Sequence, residues 1–190
     1  MLKKLILIVG LPGSGKSFAA FVIKKHFHAQ VLMTGDVIRE EIKRRGLPYN
    51  TENDTKMRLW FHTGREHLVC ERLIKKMRKT GIVVIDGLRS PKELSMFRKI
   101  FKDKTVLIKI TSSFNVRARR EIERGRFGKN ESIKYVRERD KSEMSELVGL
   151  KKLLKMADYT IDNSKLTKKQ METKVVSLTK KILNEQNKFK

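Results

Sequence analysis

The apolar residues of this chain fall into two registers. Short unbroken runs at residues 5–9, 31–33, 82–85, 106–110 and 159–161 show almost no alternation, the pattern of strands covered on both faces. Between these runs the apolar positions recur at helical spacing. Five strands separated by helices predict an α/β fold with a five-stranded parallel sheet flanked by helices. Right-handed crossovers in such a sheet bring the C-terminal strand ends to one edge, where ligand-binding groups gather. Two helix starts are punctuated. Ser90-Pro91-Lys92-Glu93 offers a Ser cap, Pro at the first helical position and Glu three residues after the cap. Thr167 with Gln170 repeats the logic, with Leu166 and Met171 as the apolar staple. Met171, Val175, Leu178 and Ile182 then form the buried stripe of a terminal helix.

A length of 190 residues fits one domain around one core. The 45 Lys+Arg against 21 Asp+Glu leave a net charge of +24, which favours an anionic partner: a nucleotide, RNA or an acidic surface. No aromatic-interleaved RNA-binding signature accompanies that charge, so nucleic acid stands behind a small-molecule ligand. No run approaches the roughly 20 apolar residues that cross a membrane. The opening Met1-Leu2-Lys3-Lys4 and the apolar run behind it lead into a glycine-rich turn instead of a small-residue cleavage site, and read as a buried central strand. Cys70 is the only cysteine, so no internal disulfide forms and the reducing cytoplasm is the expected compartment. His26, His28, His62 and His67 lack metal-site spacing and read as ordinary. Trp60 and Phe61 read as helix packing ahead of base stacking.

The chemistry concentrates where the first strand ends. Gly10-Leu11-Pro12-Gly13-Ser14-Gly15-Lys16-Ser17 follows the first apolar run and leads, through Phe18, into a helical stretch. This G-x-x-x-x-G-K-S pattern in a strand-to-helix setting is a P-loop: glycines let successive N–H groups turn toward phosphate oxygens, and the helix aims its positive end at the same point. Lys16 is then expected on the outer phosphates of ATP and Ser17 on Mg²⁺.

After the second strand comes Thr34-Gly35-Asp36-Val37-Ile38-Arg39, and after the third Asp86-Gly87-Leu88-Arg89. TGDxxR joined to a P-loop resembles the adenylate kinase and nucleoside monophosphate kinase family. The resemblance implies that Arg39 holds the phosphate of an acceptor, that Asp86 organises Mg²⁺ and that Arg89 faces the acceptor. An aspartate ending an apolar strand is also costly to desolvate unless it is paired or near a cation. Adenylate kinases usually read DGFPR here; this chain is one residue shorter. The arginine-rich stretch after the fourth strand looks like a short lid, which makes Arg120, Arg124, Arg126 and Arg137 the candidates for stabilising charge in transfer. Short-lid relatives often carry two aspartates where this chain has Phe127-Gly128-Lys129.

With the exit of the fifth strand at Ala157–Asn163, the likeness narrows to archaeal adenylate-kinase-related proteins, sometimes compared with dephospho-coenzyme A kinases, across roughly residues 4–185. It implies one kinase domain over residues 1–190, with acceptor-binding segment 34–80 and lid segment 115–140. The implied activity is ATP- and Mg²⁺-dependent phosphoryl transfer to a nucleotide-like acceptor. A phosphate acceptor needs no protein base, because its second pKa is about 6; a hydroxyl acceptor would use a carboxylate base, for which Asp36 is the candidate. A nucleic-acid-associated NTPase is the reading from another class.

Overall fold

Five strands form at the five apolar runs: β1 (Leu2–Val9), β2 (Gln30–Met33), β3 (Gly81–Asp86), β4 (Thr105–Thr111) and β5 (Tyr159–Asp162). The chain is described by a computed structural model over residues 1–125, 133–145 and 149–185. All pairings are parallel, in the order β2-β3-β1-β4-β5. That order makes β1 the central strand, which is why Leu5 to Val9 are completely buried. Side chains alternate across the sheet. Leu5, Leu7 and Val9 enter one core, while Ile6 and Ile8 enter the other.

The first core is closed by α2 (Thr34–Arg44), α3 (Thr51–His62), α4 (Glu66–Lys76), α5 (Pro91–Phe101) and α8 (Leu150–Lys155). Phe61, Cys70, Leu94 and Phe97 are its most enclosed helical contributions. The second core is closed by α1 (Lys16–Phe27) and α9 (Lys168–Glu185). Burying each large aliphatic side chain stabilises the fold by roughly 1.5–3 kcal/mol, so these two layers fix the sheet as a rigid platform.

The capping signals are realised as hydrogen bonds. Ser90 Oγ accepts from the Glu93 amide at 3.2 Å, and Glu93 Oε2 accepts from the Ser90 amide at 3.0 Å. At the start of α9 the Thr167 hydroxyl accepts from the Gln170 backbone amide at 3.2 Å, and the Gln170 side-chain oxygen accepts from the Thr167 backbone amide at 2.9 Å. One position of the terminal stripe differs from expectation. Thr179, not Leu178, takes the fully buried place among Met171, Val175 and Ile182. Its hydroxyl donates to the Val175 carbonyl at 2.7 Å, so the polar atom is buried already satisfied.

Register places the functional edge. Asp86 lies level with Ile8 on one side and Met33 on the other, and Thr111 lies level with Asp162. The P-loop, the start of α2, the exit of β3 and Asn163 therefore share one rim of the sheet. Two further helices, α6 (Phe114–Arg124) and α7 (Ile133–Glu143), stand over it. Among the described residues no helix is long and apolar enough to cross a membrane.

A Cβ placed on Gly10 would lie 2.1 Å from the Ile110 carbonyl oxygen, a backbone atom of β4 that cannot swing aside. Gly10→Ala should therefore destabilise the protein by about 2 kcal/mol or more in denaturant unfolding. Gly46→Ala, with nothing within 4 Å of the added carbon, should cost only about 1 kcal/mol, from its backbone conformation.

Candidate active site

The loop at residues 10–17 is held from behind. Asn163 donates to the Ser14 carbonyl at 2.9 Å, Arg120 to the Gly13 carbonyl at 3.2 Å, and Arg117 to the Pro12 carbonyl at 3.3 Å. At Gly13, with φ of 74°, an added Cβ would come within 2.6 Å of the Arg117 carbonyl oxygen, so the loop and α6 touch backbone to backbone. Carbonyls tied on the outer side leave the concave side to amides. The first-turn amides of α1 have no acceptor within the helix. That turn holds no acidic residue and receives no side-chain cap, which leaves its positive end to an external anion.

In front of the loop lies a cavity of about 270 Å³. Pro12, Gly13, Gly15, Lys16, Ser17 and Phe18 form its floor, whereas Gly10, Leu11 and Ser14 line a separate cavity behind the loop. Lys16 Nζ donates to the Leu11 carbonyl at 3.0 Å. Burial pushes its pKa down to about 8, with Asp86 opposing the shift and Arg89 adding to it. Ser17 Oγ donates to Asp86 Oδ2 at 2.8 Å, and Asp86 Oδ1 is buried without a hydrogen-bond partner. A serine oxygen with its proton committed to a carboxylate still offers lone pairs to a cation. One hydroxyl and one spare carboxylate oxygen suit Mg²⁺, which keeps several waters and takes its remaining ligands from phosphates. Among the described residues no group of three or more His, Cys, Asp or Glu forms a closed metal cage.

The predicted arginines separate. Arg39, Arg89, Arg120 and Arg124 line the cavity. Arg137 does not: its guanidinium lies 5.3 Å over the Phe114 ring, outside both chambers of the site. Arg126 falls outside the described residues, as do Phe127, Gly128 and Lys129. Asp36 is ion-paired to Arg39 on its own helix and does not line the cavity, so its carboxylate is committed away from any acceptor hydroxyl.

Other residues enter the site without having been singled out by motif. Arg58 of α3, Glu121 of α6 and Arg139 of α7 line the same cavity. Asp54 at the fourth position before Arg58 was the available clue, a spacing that favours an ion pair on a helix face. The two meet at 2.6 Å. Arg139 bridges to Glu121 at 3.0 Å, and Arg89 is ion-paired with Glu143 of α7. Burial, then the guanidiniums of Arg58 and Arg139, push the proton affinity of Arg89 well down, with the carboxylates of Glu93 and Asp54 opposing the shift.

Arg58, Arg89 and Arg139 also form a wall shared with a second chamber of about 220 Å³ between α3 and α7. His62, only 6% exposed, lines this chamber. Its pKa is pushed down to about 3 by burial first and then by Arg89 and Arg58, so the ring is neutral near pH 7. Of the four histidines, which the sequence gives as forming no metal or catalytic set, His62 is the one the fold buries beside two arginines. Trp60 does pack a helix, held between Arg45 and Arg65 at 4.3 and 4.8 Å.

Fold and site together define an α/β protein with a P-loop at the end of the central strand of a parallel sheet. The AAA domain family matches residues 9–137. A UPF0200 protein of Thermococcus onnurineus is 35% identical over 187 residues, which cover 95% of this chain and 99% of that one. The UPF0200 protein PH1008 of Pyrococcus horikoshii is 34% identical, covering 95% and 98%. A UPF0200/UPF0201 protein of Archaeoglobus fulgidus is 40% identical over 85% of this chain, and the match spans half of that relative's length. The chain belongs to the UPF0200 family. Its fold is also that of a gluconokinase from Sinorhizobium meliloti, at 14% identity and TM-score 0.59, covering 98% of this chain and 97% of that one. A shikimate kinase from Acinetobacter baumannii, in complex with shikimate, aligns at 16% identity and TM-score 0.57, covering 93% and 92%.

His62 also makes a stability prediction. Its pKa is about 3 when folded and roughly 6.5 when unfolded, so between these values the unfolded chain binds the extra proton and stability falls as pH falls. His62→Gln removes this dependence. Relative to the variant, the wild-type protein should lose up to about 1.4 kcal/mol per pH unit below pH ~6.5, read from paired urea melts at pH 7.0, 6.0 and 5.0.

Proposed function

We propose that this protein is an ATP- and Mg²⁺-dependent phosphotransferase that moves the γ-phosphoryl group to a small anionic acceptor, in the manner of nucleoside monophosphate kinases. The observation that carries the reading is one cavity in which Lys16, the Ser17–Asp86 pair and arginines from several different elements converge. Phosphoryl transfer asks little covalent chemistry of the protein; positioning and charge stabilisation supply nearly all the catalysis.

Each residue then has a physical task. The loop amides and Lys16 hold the outer phosphates of the donor. Ser17 and Asp86 hold Mg²⁺, which when bound neutralises developing phosphate charge. Arg120 and Arg124 of α6 and Arg139 of α7 approach the group in flight, while Arg39 and Arg89 take the acceptor's anionic group. On this reading one domain carries its acceptor side in residues 34–80 and its lid in 115–140, and the cytoplasm supplies the nucleotide.

A second reading, transfer to a hydroxyl, is favoured by one observation. Glu121 is a buried carboxylate inside the phosphate cavity, where a base for an acceptor hydroxyl would be useful. Glu121 is itself held by Arg139, and Asp36 differs from it in not lining that cavity.

The screen is coupled ADP release with AMP, CMP, UMP, deoxynucleoside monophosphates, dephospho-coenzyme A and gluconate. Lys16→Ala should lower turnover on the best acceptor by on the order of 10³ while the circular-dichroism melt persists. ATP that binds with no acceptor raising turnover would end the kinase reading.

Lys16 also predicts proton uptake. With its free pKa near 8, the amine is mostly neutral at pH 8.5, and a bound triphosphate tail favours the charged form. Calorimetric titration of ATP at pH 8.5 in buffers of different ionisation enthalpy should show uptake approaching one proton, and affinity should fall as pH rises through 8. Lys16→Arg should show no uptake.

A further inference from the structure

We propose that the second chamber, between α3 and α7, is the pocket for the uncharged body of the acceptor, and that His62 is the specificity-determining residue that hydrogen-bonds it. This rests on the phosphotransferase reading and adds what the acceptor must look like: a single ring or its equivalent, bearing a hydroxyl or amino hydrogen-bonding group, with an anionic end directed at the arginines.

Connection comes first. The two chambers meet at Arg58, Arg89 and Arg139, which line both. A molecule whose reacting group reaches the phosphate cavity must lodge its remainder past those guanidiniums. Size is the second constraint. A cavity near 150 Å³ accommodates benzene, so about 220 Å³ takes one ring with substituents and excludes a polymer.

Polarity decides the class. Arg58 is neutralised by Asp54 and Arg89 by Glu143, so the wall facing the inner chamber is not a free anion well. His62 differs from these pairs: its Nδ1 is buried without a hydrogen-bond partner. A buried polar group left unmatched costs roughly 1–3 kcal/mol, which a complementary ligand group would recover. The imidazole is neutral beside two guanidiniums, and a neutral ring offers one donor and one acceptor. That matches an alcohol, an amine or a ring N–H better than a second phosphate. Trp60 does not line the chamber and is held between Arg45 and Arg65; the aromatic that does line it is Tyr135, a phenol that itself offers a hydrogen-bonding oxygen.

Nucleoside monophosphates and polyhydroxylated acids share this chemistry, and the experiment separates them. Steady-state rates and calorimetric binding would be measured for wild type, His62→Ala, His62→Gln and Thr55→Trp, with AMP, CMP, UMP, gluconate and shikimate as probes. Thr55 lines the chamber yet is solvent-exposed, so a tryptophan there obstructs the pocket without disturbing the core. His62→Ala and Thr55→Trp should raise the acceptor KM by roughly 10- to 100-fold, a range set by losing one hydrogen bond at a specificity site. The KM for ATP should stay within about twofold. His62→Gln, which keeps a neutral hydrogen-bonding head, should recover most of the loss. Turnover of a probe with the same KM in all four proteins overturns the pocket assignment and leaves the phosphotransferase reading standing. Binding of a probe without turnover, lost in His62→Ala, supports the pocket and ends that reading. Neither binding nor turnover of any probe overturns the pocket.

Discussion

Guanidinium groups repel one another, and four of those gathered around the loop and its cavity are each held by a carboxylate, while Arg120 is held by the Gly13 and Asn163 carbonyls. Arg58 has Asp54, Arg89 has Glu143, Arg139 has Glu121 and Arg117 has Asp140. These pairs are largely removed from water, so each residue depends on its partner: taking one member away leaves a buried charge whose cost is typically 3–5 kcal/mol. The same pairs place the helices. Three of the four reach α7 from α6 or from the exit of β3, so the position of α7 and the presentation of the arginines are a single structural variable.

The loop obeys a different rule. Its carbonyls are pinned by Asn163, Arg117 and Arg120, and at Gly10 and Gly13 a side chain would strike neighbouring backbone. The centre of the sheet, β1, carries it on a completely buried strand. The donor side is therefore preorganised, and electrostatic stabilisation is strongest where the dipoles need not reorganise.

What was legible in the sequence follows from this division. The five strands were legible because burial on both faces demands unbroken runs of Val, Ile and Leu, and the P-loop because backbone geometry demands glycine at fixed spacing. The caps at Ser90 and Thr167 were legible because a hydrogen bond three residues long is a local event. The places of Arg139, Glu121 and His62 were not, because they depend on contacts between α3, α6, α7 and the exit of β3 that no local pattern records; Arg58 left only the clue of Asp54 four residues before it. His62 looked ordinary in sequence for the same reason: its environment is made by Arg58 on its own helix and Arg89 from a distant strand. The basic run pointed to Arg137, whereas Arg139, two residues on, is the one that lines the cavity, because two residues turn a helix by about 200°. One side chain meets Glu121 and the other Phe114.

The two rules together bear on how the site can work. A phosphate dianion competes for the same guanidiniums that the carboxylates hold, and it offers more acceptor oxygens than a carboxylate does. An anionic ligand can thus draw Arg89 from Glu143 or Arg139 from Glu121 without exposing an unpaired charge, provided the carboxylate released finds water or a donor on the ligand. Because both carboxylates sit on α6 and α7, such an exchange necessarily changes what holds those helices over the loop. Anion binding and the position of α6 and α7 are then linked: an anion that draws on these guanidiniums shifts the population toward the arrangement of helices that holds it best, and under the proposed phosphotransfer that is the differential binding through which a transition state would be favoured.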